Sequence, residues 1–230
     1  MENIKTKLLI TITDKNNNQR IKNLYKKHDI KYSLELNGYG TASNSILEYF
    51  GLEEVHKKII ISVIPYNIEG RLLEDLHKKI KIYEPGKGIA FTLSIKSASR
   101  YLSKIYENYV GDDIVMKNDK KYELIVLIVS EGYANIAMNA AKRKGAFGGT
   151  LLNGVGLGSA EATKILGITI EPEKEVVLIL TEENNKKELM EEISENVGLA
   201  TEGRGICFSL PVDNAVGLSE NVKFEKFKEN

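Results

Sequence analysis

The sequence predicts an α+β protein made of tandem ferredoxin-like (βαββαβ) units with a connecting helix. Two observations predict it: the chain repeats itself, and each copy alternates strand-sized apolar runs with segments of helical period. At an offset of 116, Leu8-Leu9-Ile10-Thr11-Ile12 matches Leu124-Ile125-Val126-Leu127-Ile128. At the same offset Leu36-Asn37-Gly38-Tyr39-Gly40 matches Leu152-Asn153-Gly154-Val155-Gly156, and Ile60-Ile61-Ser62-Val63-Ile64 matches Val176-Val177-Leu178-Ile179-Leu180. With one residue added, GKGIAFTLSIKSA at 86–98 matches GRGICFSLPVDNA at 203–215.

Each element follows from local pattern. A β-rich run opens each copy at 7–13 and 122–129. A helix follows at 16–28, where Ile21, Leu24 and Tyr25 share a face, and at 132–144, where Ile136, Ala137, Ala140 and Ala141 do. The second strand, 31–37 or 148–153, ends in a GxG, and a longer connection leads to the third, 58–64 or 175–181. Leu72, Leu73, Leu76 and Ile80 mark the second helix of copy one; Leu189, Ile193 and Val197 mark that of copy two. A Gly-rich turn and a last strand, 88–95 or 205–212, close the copy. Copy one thus spans 1–98 and copy two 122–220. Between them, 99–121 reads as a helical linker, with Tyr101, Leu102, Ile105, Tyr106 and Tyr109 on one face; 221–230 reads as a frayed tail.

Composition narrows the classes. Lys plus Arg and Asp plus Glu both total 32, so the net charge is zero, which argues against a general nucleic-acid binder. The balance hides an asymmetry: residues 1–121 carry +6 and residues 122–230 carry −6. That suits attraction between subunits, or is drift on solvated faces. Cys207 is the single cysteine, which excludes an intrachain disulfide and fits a reducing compartment. MENIKTK has no apolar signal core behind it, and runs such as LIVLIV at 124–129 are too short to span a bilayer, so a cytoplasmic location is expected.

The glycines carry the functional signal. Copy two has NGVGLG at 153–158 and TEGRGI at 201–206; copy one has NGYGTA at 37–42 and EPGKGI at 84–89. Glycine permits positive φ and lets backbone N–H groups approach an anion, and both clusters stand at strand ends, where turns converge. The candidate ligand site is therefore Gly154, Val155, Gly156, Leu157, Gly158, Gly203, Arg204, Gly205 and Ile206, with Lys174 before the third strand. The same glycines also serve as plain tight turns, and Arg204 and Lys174 as solvated charges. A copy-one site is read at Gly38, Gly40, Gly86, Lys87 and Gly88; Ala42 replaces the third glycine there and Tyr39 adds bulk, so this copy is a site or a scaffold.

On these motifs the chain resembles the nitrogen regulatory P-II signalling family, over most of each copy and best over 122–218. Gly154-Val155-Gly156 stands where that family begins its T-loop, IEPEKE at 170–175 resembles its Pro-Lys step, and Gly203-Arg204-Gly205 looks like its B-loop. The resemblance implies a homotrimer that binds ATP or ADP between subunits and a loop, here 157–171, that grips a partner such as a membrane transporter. Ile206 stands where the family places Lys, and DNAVGLSE at 213–220 lacks the family's arginine pair. Cationic groups are thereby reduced to Arg204 and Lys174, which leaves ADP, AMP or another anionic ligand open beside ATP. Segment 157–171 contains no Tyr; within it Ser159-Ala160-Glu161-Ala162 reads as a helix start, and Ile165, Leu166 and Ile168 pack on the domain or meet a partner.

Other chemistry is thinly represented. His28, His56 and His77 lack ligand spacing, so no metal is expected, and Cys207 reads as core filling. No nucleophile elbow, phosphate loop or carboxylate pair is legible. The expectation is a non-enzymatic, ligand-sensing regulator without cofactor. The rivals are an enzyme acting on a nucleotide or other phosphorylated small molecule, and an assembly protein that binds nothing.

Overall fold

A run of apolar and β-branched residues, TKLLITIT, makes Thr6–Thr13 a strand, β1, buried along most of its length. Asp14 then stops it and caps helix α1, Lys15–Lys27, by accepting from Asn17 N at 2.7 Å. The computed structural model describes residues 6–41, 55–97, 105–106, 114–117, 121–156, 163–165, 168–170, 172–218 and 220–226. Strands β2 (Tyr32–Gly40) and β3 (Val55–Pro65) follow, then helix α2 (Glu69–Asp75), which runs into a π-helical turn at Leu76–Ile80, and β4 (Gly88–Ser94). The next elements are β5 (Ile114–Lys117), β6 (Tyr122–Ser130), α3 (Ala134–Arg143), β7 (Thr150–Val155), β8 (Thr163–Ile165) and β9 (Ile168–Ile170). The chain ends through β10 (Glu173–Glu182), α4 (Lys186–Val197), β11 (Ile206–Val212), β12 (Asn214–Val216) and β13 (Lys223–Lys226).

The expectation of two ferredoxin-like βαββαβ units with a connecting helix is overturned. The strands form one nine-stranded antiparallel sheet in the order β11-β6-β10-β7-β2-β3-β1-β4-β12. Each copy keeps one internal strand order, β4-β1-β3-β2 and β11-β6-β10-β7, but neither closes a sheet of its own. Tyr39 and Gly40 at the end of β2 pair with Leu151 and Thr150 of β7, and β12 pairs with β4. The physical reason is that an edge strand presents a row of unmet N–H and C=O groups and takes whatever strand can meet them. Two further readings change with it. Residues 114–117 of the expected helical linker are strand β5, and 223–226 of the expected frayed tail pair with it as β13. Of the linker's apolar face, Ile105 and Tyr106 are described: Tyr106 is buried and donates to the Val63 carbonyl at 2.5 Å.

The chain divides into two compact units that are discontinuous in sequence. Unit 1 is Met1–Asn37, Lys57–Tyr122 and Pro211–Asn230; unit 2 is Gly38–His56 and Glu123–Leu210. In unit 1, β1 lies between β3 and β4, and Leu9, Ile21, Ile64, Leu72, Leu73 and Leu76 are completely buried in the core. In unit 2, Ile125, Val129, Val177, Ile179, Ile193 and Val197 form the equivalent core. Helix α3 turns Ala134, Ala137, Ala140 and Ala141 inward, a small-residue face that suits close packing on α4. Segment 157–171 contains the β8–β9 hairpin; Ser159–Ala162, where a helix start is expected, lies outside the described residues.

Candidate functional site

Within unit 2 the ends of β6, β7 and β10 meet. Antiparallel pairing sets Gly154 opposite Lys174 and Val155 opposite Glu173. Gly156 N donates to the Pro172 carbonyl at 2.9 Å, and the absent side chain leaves room for the Lys174 stem: a Cβ on Gly156 would lie 3.4 Å from Lys174 Cγ. Lys174 Nζ reaches Ser130 Oγ at 3.3 Å, and Ser130 N donates to the Gly203 carbonyl at 3.0 Å. Lys174 and Ser130 therefore link the two glycine turns of copy two.

Four carboxylates stand on the same strand ends and turns. Glu131 N donates to the Glu173 carbonyl, and the two side chains share a hydrogen bond that, with the nearby charges of Glu173 and Glu175, raises the Glu131 carboxyl above its ordinary range. Glu175 accepts from Ala134 N at 2.8 Å and so meets a free N–H at the start of α3. Tyr133 Oη donates to Glu202 at 2.9 Å, and that bond holds the phenol above its usual value. None of Ser130, Glu131, Tyr133 or Glu202 is prominent in the sequence. The signal available was positional: SEGY at 130–133 directly follows an apolar strand, where strand-end sites collect.

The glycine turns are tight for internal reasons. Gly205 N donates to the Val197 carbonyl at 2.6 Å, and a Cβ there would stand 2.3 Å from that oxygen. Gly203 is packed against Tyr133 and Val197, and Arg204 N is bonded to the Thr201 carbonyl at 3.2 Å. Arg204 takes φ +46° and is exposed. The N–H groups of Gly156, Arg204 and Gly205 are thus already hydrogen-bonded, so recognition here falls mainly to side chains. Gly154 has open space where its Cβ would be, while Val155 and Ile206 are exposed. Leu157 and Gly158 lie outside the described residues.

The copy-one residues are distributed differently. Gly38 and Gly40 lie on β2 in unit 2, whereas Gly86, Lys87 and Gly88 belong to unit 1. Gly88 has φ +143°, and a Cβ would stand 2.1 Å from the Ile12 carbonyl oxygen. The Lys87 carbonyl accepts from Thr13 Oγ1 at 2.9 Å, and its ammonium pairs with Glu84. This turn secures the β1–α1 corner. Cys207 is half-buried against the unit 2 core, and burial pushes its thiol up to about 11. Among the described residues no group of three or more His, Cys, Asp or Glu is arranged to hold a metal ion, and no helix is long and apolar enough to cross a membrane.

No family model and no curated protein matches this sequence. The chain is similar to a solved structure titled as the crystal structure of an unknown protein from Galdieria sulphuraria, at 11% identity, over 90% of this chain and 98% of that one, with a TM-score of 0.28. A likeness so distant carries no argument about function.

Proposed function

We propose that this chain is a P-II-like cytoplasmic regulator that senses an adenine nucleotide at the unit 2 strand ends and passes the signal to a partner protein through 157–171. The observation that supports it is the placement of Lys174 between the two glycine turns, with Ser130 as the bridge. The surrounding chemistry selects among nucleotides. Lys174 and Arg204 supply two positive charges against the carboxylates of Glu131, Glu173, Glu175 and Glu202. A triphosphate would meet net repulsion there. Carboxylates do accept hydrogen bonds from ribose hydroxyls and an exocyclic amine, while one ammonium matches one phosphate. AMP is therefore the favoured effector over ADP and ATP. By the resemblance the regulator is a homotrimer, and its partner is a membrane transporter.

Calorimetry of the full chain against adenosine, AMP, ADP and ATP tests this. The expected order of affinity is AMP, then ADP, then ATP, with Lys174→Ala weakening AMP about tenfold, the equivalent of 1.4 kcal/mol. Absence of binding by all four compounds would refute it. A second reading, an enzyme acting on a phosphorylated small molecule, is favoured by the hydrogen-bonded Glu131–Glu173 pair, which resembles an acid–base pair. Turnover of the same panel separates the two readings.

A further inference from the structure

We infer that the free edge of β11 is a docking site for a second copy of this chain, whose Lys96 and Ser97 fill the place beside β11 that Asp213 and Asn214 fill beside β4. In unit 1, Asp213 N donates to the Thr92 carbonyl at 2.9 Å, Asn214 pairs with Thr92 and Ala215 with Phe91, extending the sheet by one short strand. Side chains secure it. Lys7 Nζ lies 2.7 Å from Glu69 and 3.2 Å from Asp213, and Asn214 Nδ2 donates to Glu69 at 3.0 Å.

The repeat places a counterpart of each partner in unit 2. Residue 7 corresponds to Glu123 and residue 69 to Lys186, and these two also pair, at 2.8 Å, with their charges reversed. The counterparts of Asp213 and Asn214 are Lys96 and Ser97, so the strap's charge is reversed as well. A lysine that receives an aspartate in unit 1 thus becomes, in unit 2, a glutamate suited to receive a lysine. Three reversals at matched positions preserve the complementarity and exclude the wrong strap.

Among the described residues no strand pairs with the outer edge of β11. β11 stands at the end of the sheet order with β6 as its neighbour. Phe91 is fully buried, whereas its counterpart Phe208 is 40% exposed, with Ile206 at 52% and Leu210 at 39% beside it. Unpaired backbone flanked by apolar side chains is the surface on which β-strand addition works. Lys96 and Ser97 are exposed and follow β4 in unit 1, whereas the β11 edge belongs to unit 2, and the strap assigned to that edge is that of another copy. The contact is head-to-tail, β4 end to β11 edge, and such a contact builds a ring or a filament. The inference is independent of the effector reading: either can fail alone.

Light scattering of the full chain across a wide concentration range tests it, alongside Lys96→Glu, Glu123→Lys and the combination. Wild type is expected to associate. Lys96→Glu, an exposed change, is expected to weaken association about tenfold or more, and the charge-swapped combination to restore it. In a Cys207→Ser background, a mixture of Ser97→Cys and Ser209→Cys chains is expected to give a disulfide dimer that neither chain gives alone, because this register sets 97 opposite 209. The cross-link keeps the test decisive if Glu123→Lys fails to fold. A monomeric wild type, association indifferent to Lys96→Glu, or no cross-link in the mixture would each overturn the inference.

Discussion

Gly154 and Gly205, alike in sequence, are separated by their surroundings. A side chain at Gly205 collides with the Val197 carbonyl, whereas one at Gly154 meets nothing within 4 Å. Gly205→Val is therefore expected to destabilise the fold by about 1–3 kcal/mol, as overpacking does, and Gly154→Ala by less than about 0.5 kcal/mol. Urea unfolding reads both. If Gly154→Ala leaves stability intact yet weakens AMP, that turn contacts the effector. A second residue-scale expectation concerns pH. Hydrogen bonds from Lys22, then Lys58 and Asn18, outweigh partial burial and hold the Glu35 carboxyl at about 2, below its ordinary 4.5. A depressed folded-state value means the contribution is complete above pH 4.5 and is lost as pH falls through about 2. Because Glu35 is partly solvated, Glu35→Gln is expected to cost less than about 1 kcal/mol at pH 7, with the difference from wild type shrinking on acidification below pH 4.5.

At the scale of elements, β12 depends on a nearly buried ion pair more than on its own length. Three residues of strand make few ladder bonds, but Asn214 and Asp213 converge on Glu69 and Lys7, and Glu69 is only 8% exposed. Lys7→Ala leaves that carboxylate without its counter-ion and is expected to cost about 3 kcal/mol, since breaking a buried pair strands a charge. Hydrogen exchange localised to 213–216 distinguishes loss of the strap from general loosening. The start of α3 has a lesser dependence of the same kind: Tyr133 provides no side-chain cap, and Glu175 supplies one from β10. Glu175→Ala is expected to cost about 1 kcal/mol in thermal unfolding, the usual effect of a lost cap.

At the scale of the molecule, the sequence repeat and the compact units do not share boundaries. Unit 1 takes in Pro211–Asn230 from the second copy, and unit 2 takes in Gly38–His56 from the first. Fragments 1–121 and 122–230, cut at the repeat, are therefore expected to unfold without the cooperativity of the whole chain when expressed apart. Circular dichroism melts of each fragment and of their mixture check this; two sharp independent transitions would contradict it. Fragment 1–121 lacks β12 over the Lys7–Glu69 pair and Phe224 beside His77, 5.8 Å between ring centres. Fragment 122–230 lacks Tyr39 and Gly40 alongside β7.

Local pattern along the chain carries the repeat and the kind of each main element. Apolar, β-branched runs such as LLITIT and helical-period sets such as Ile21, Leu24 and Tyr25 are local properties of the chain. Local pattern also sets Lys174 and two glycine turns at strand ends. Which strands pair is settled by long-range contact, because a backbone ladder accepts any partner and leaves no side-chain signature of its choice. β2 with β7, β12 with β4 and β13 with β5 are all pairings of that kind. The carboxylates around Lys174 were equally hidden, since Glu131, Glu173 and Glu202 lie far apart in sequence and only the closure of β6, β10 and the turn before β11 brings them together.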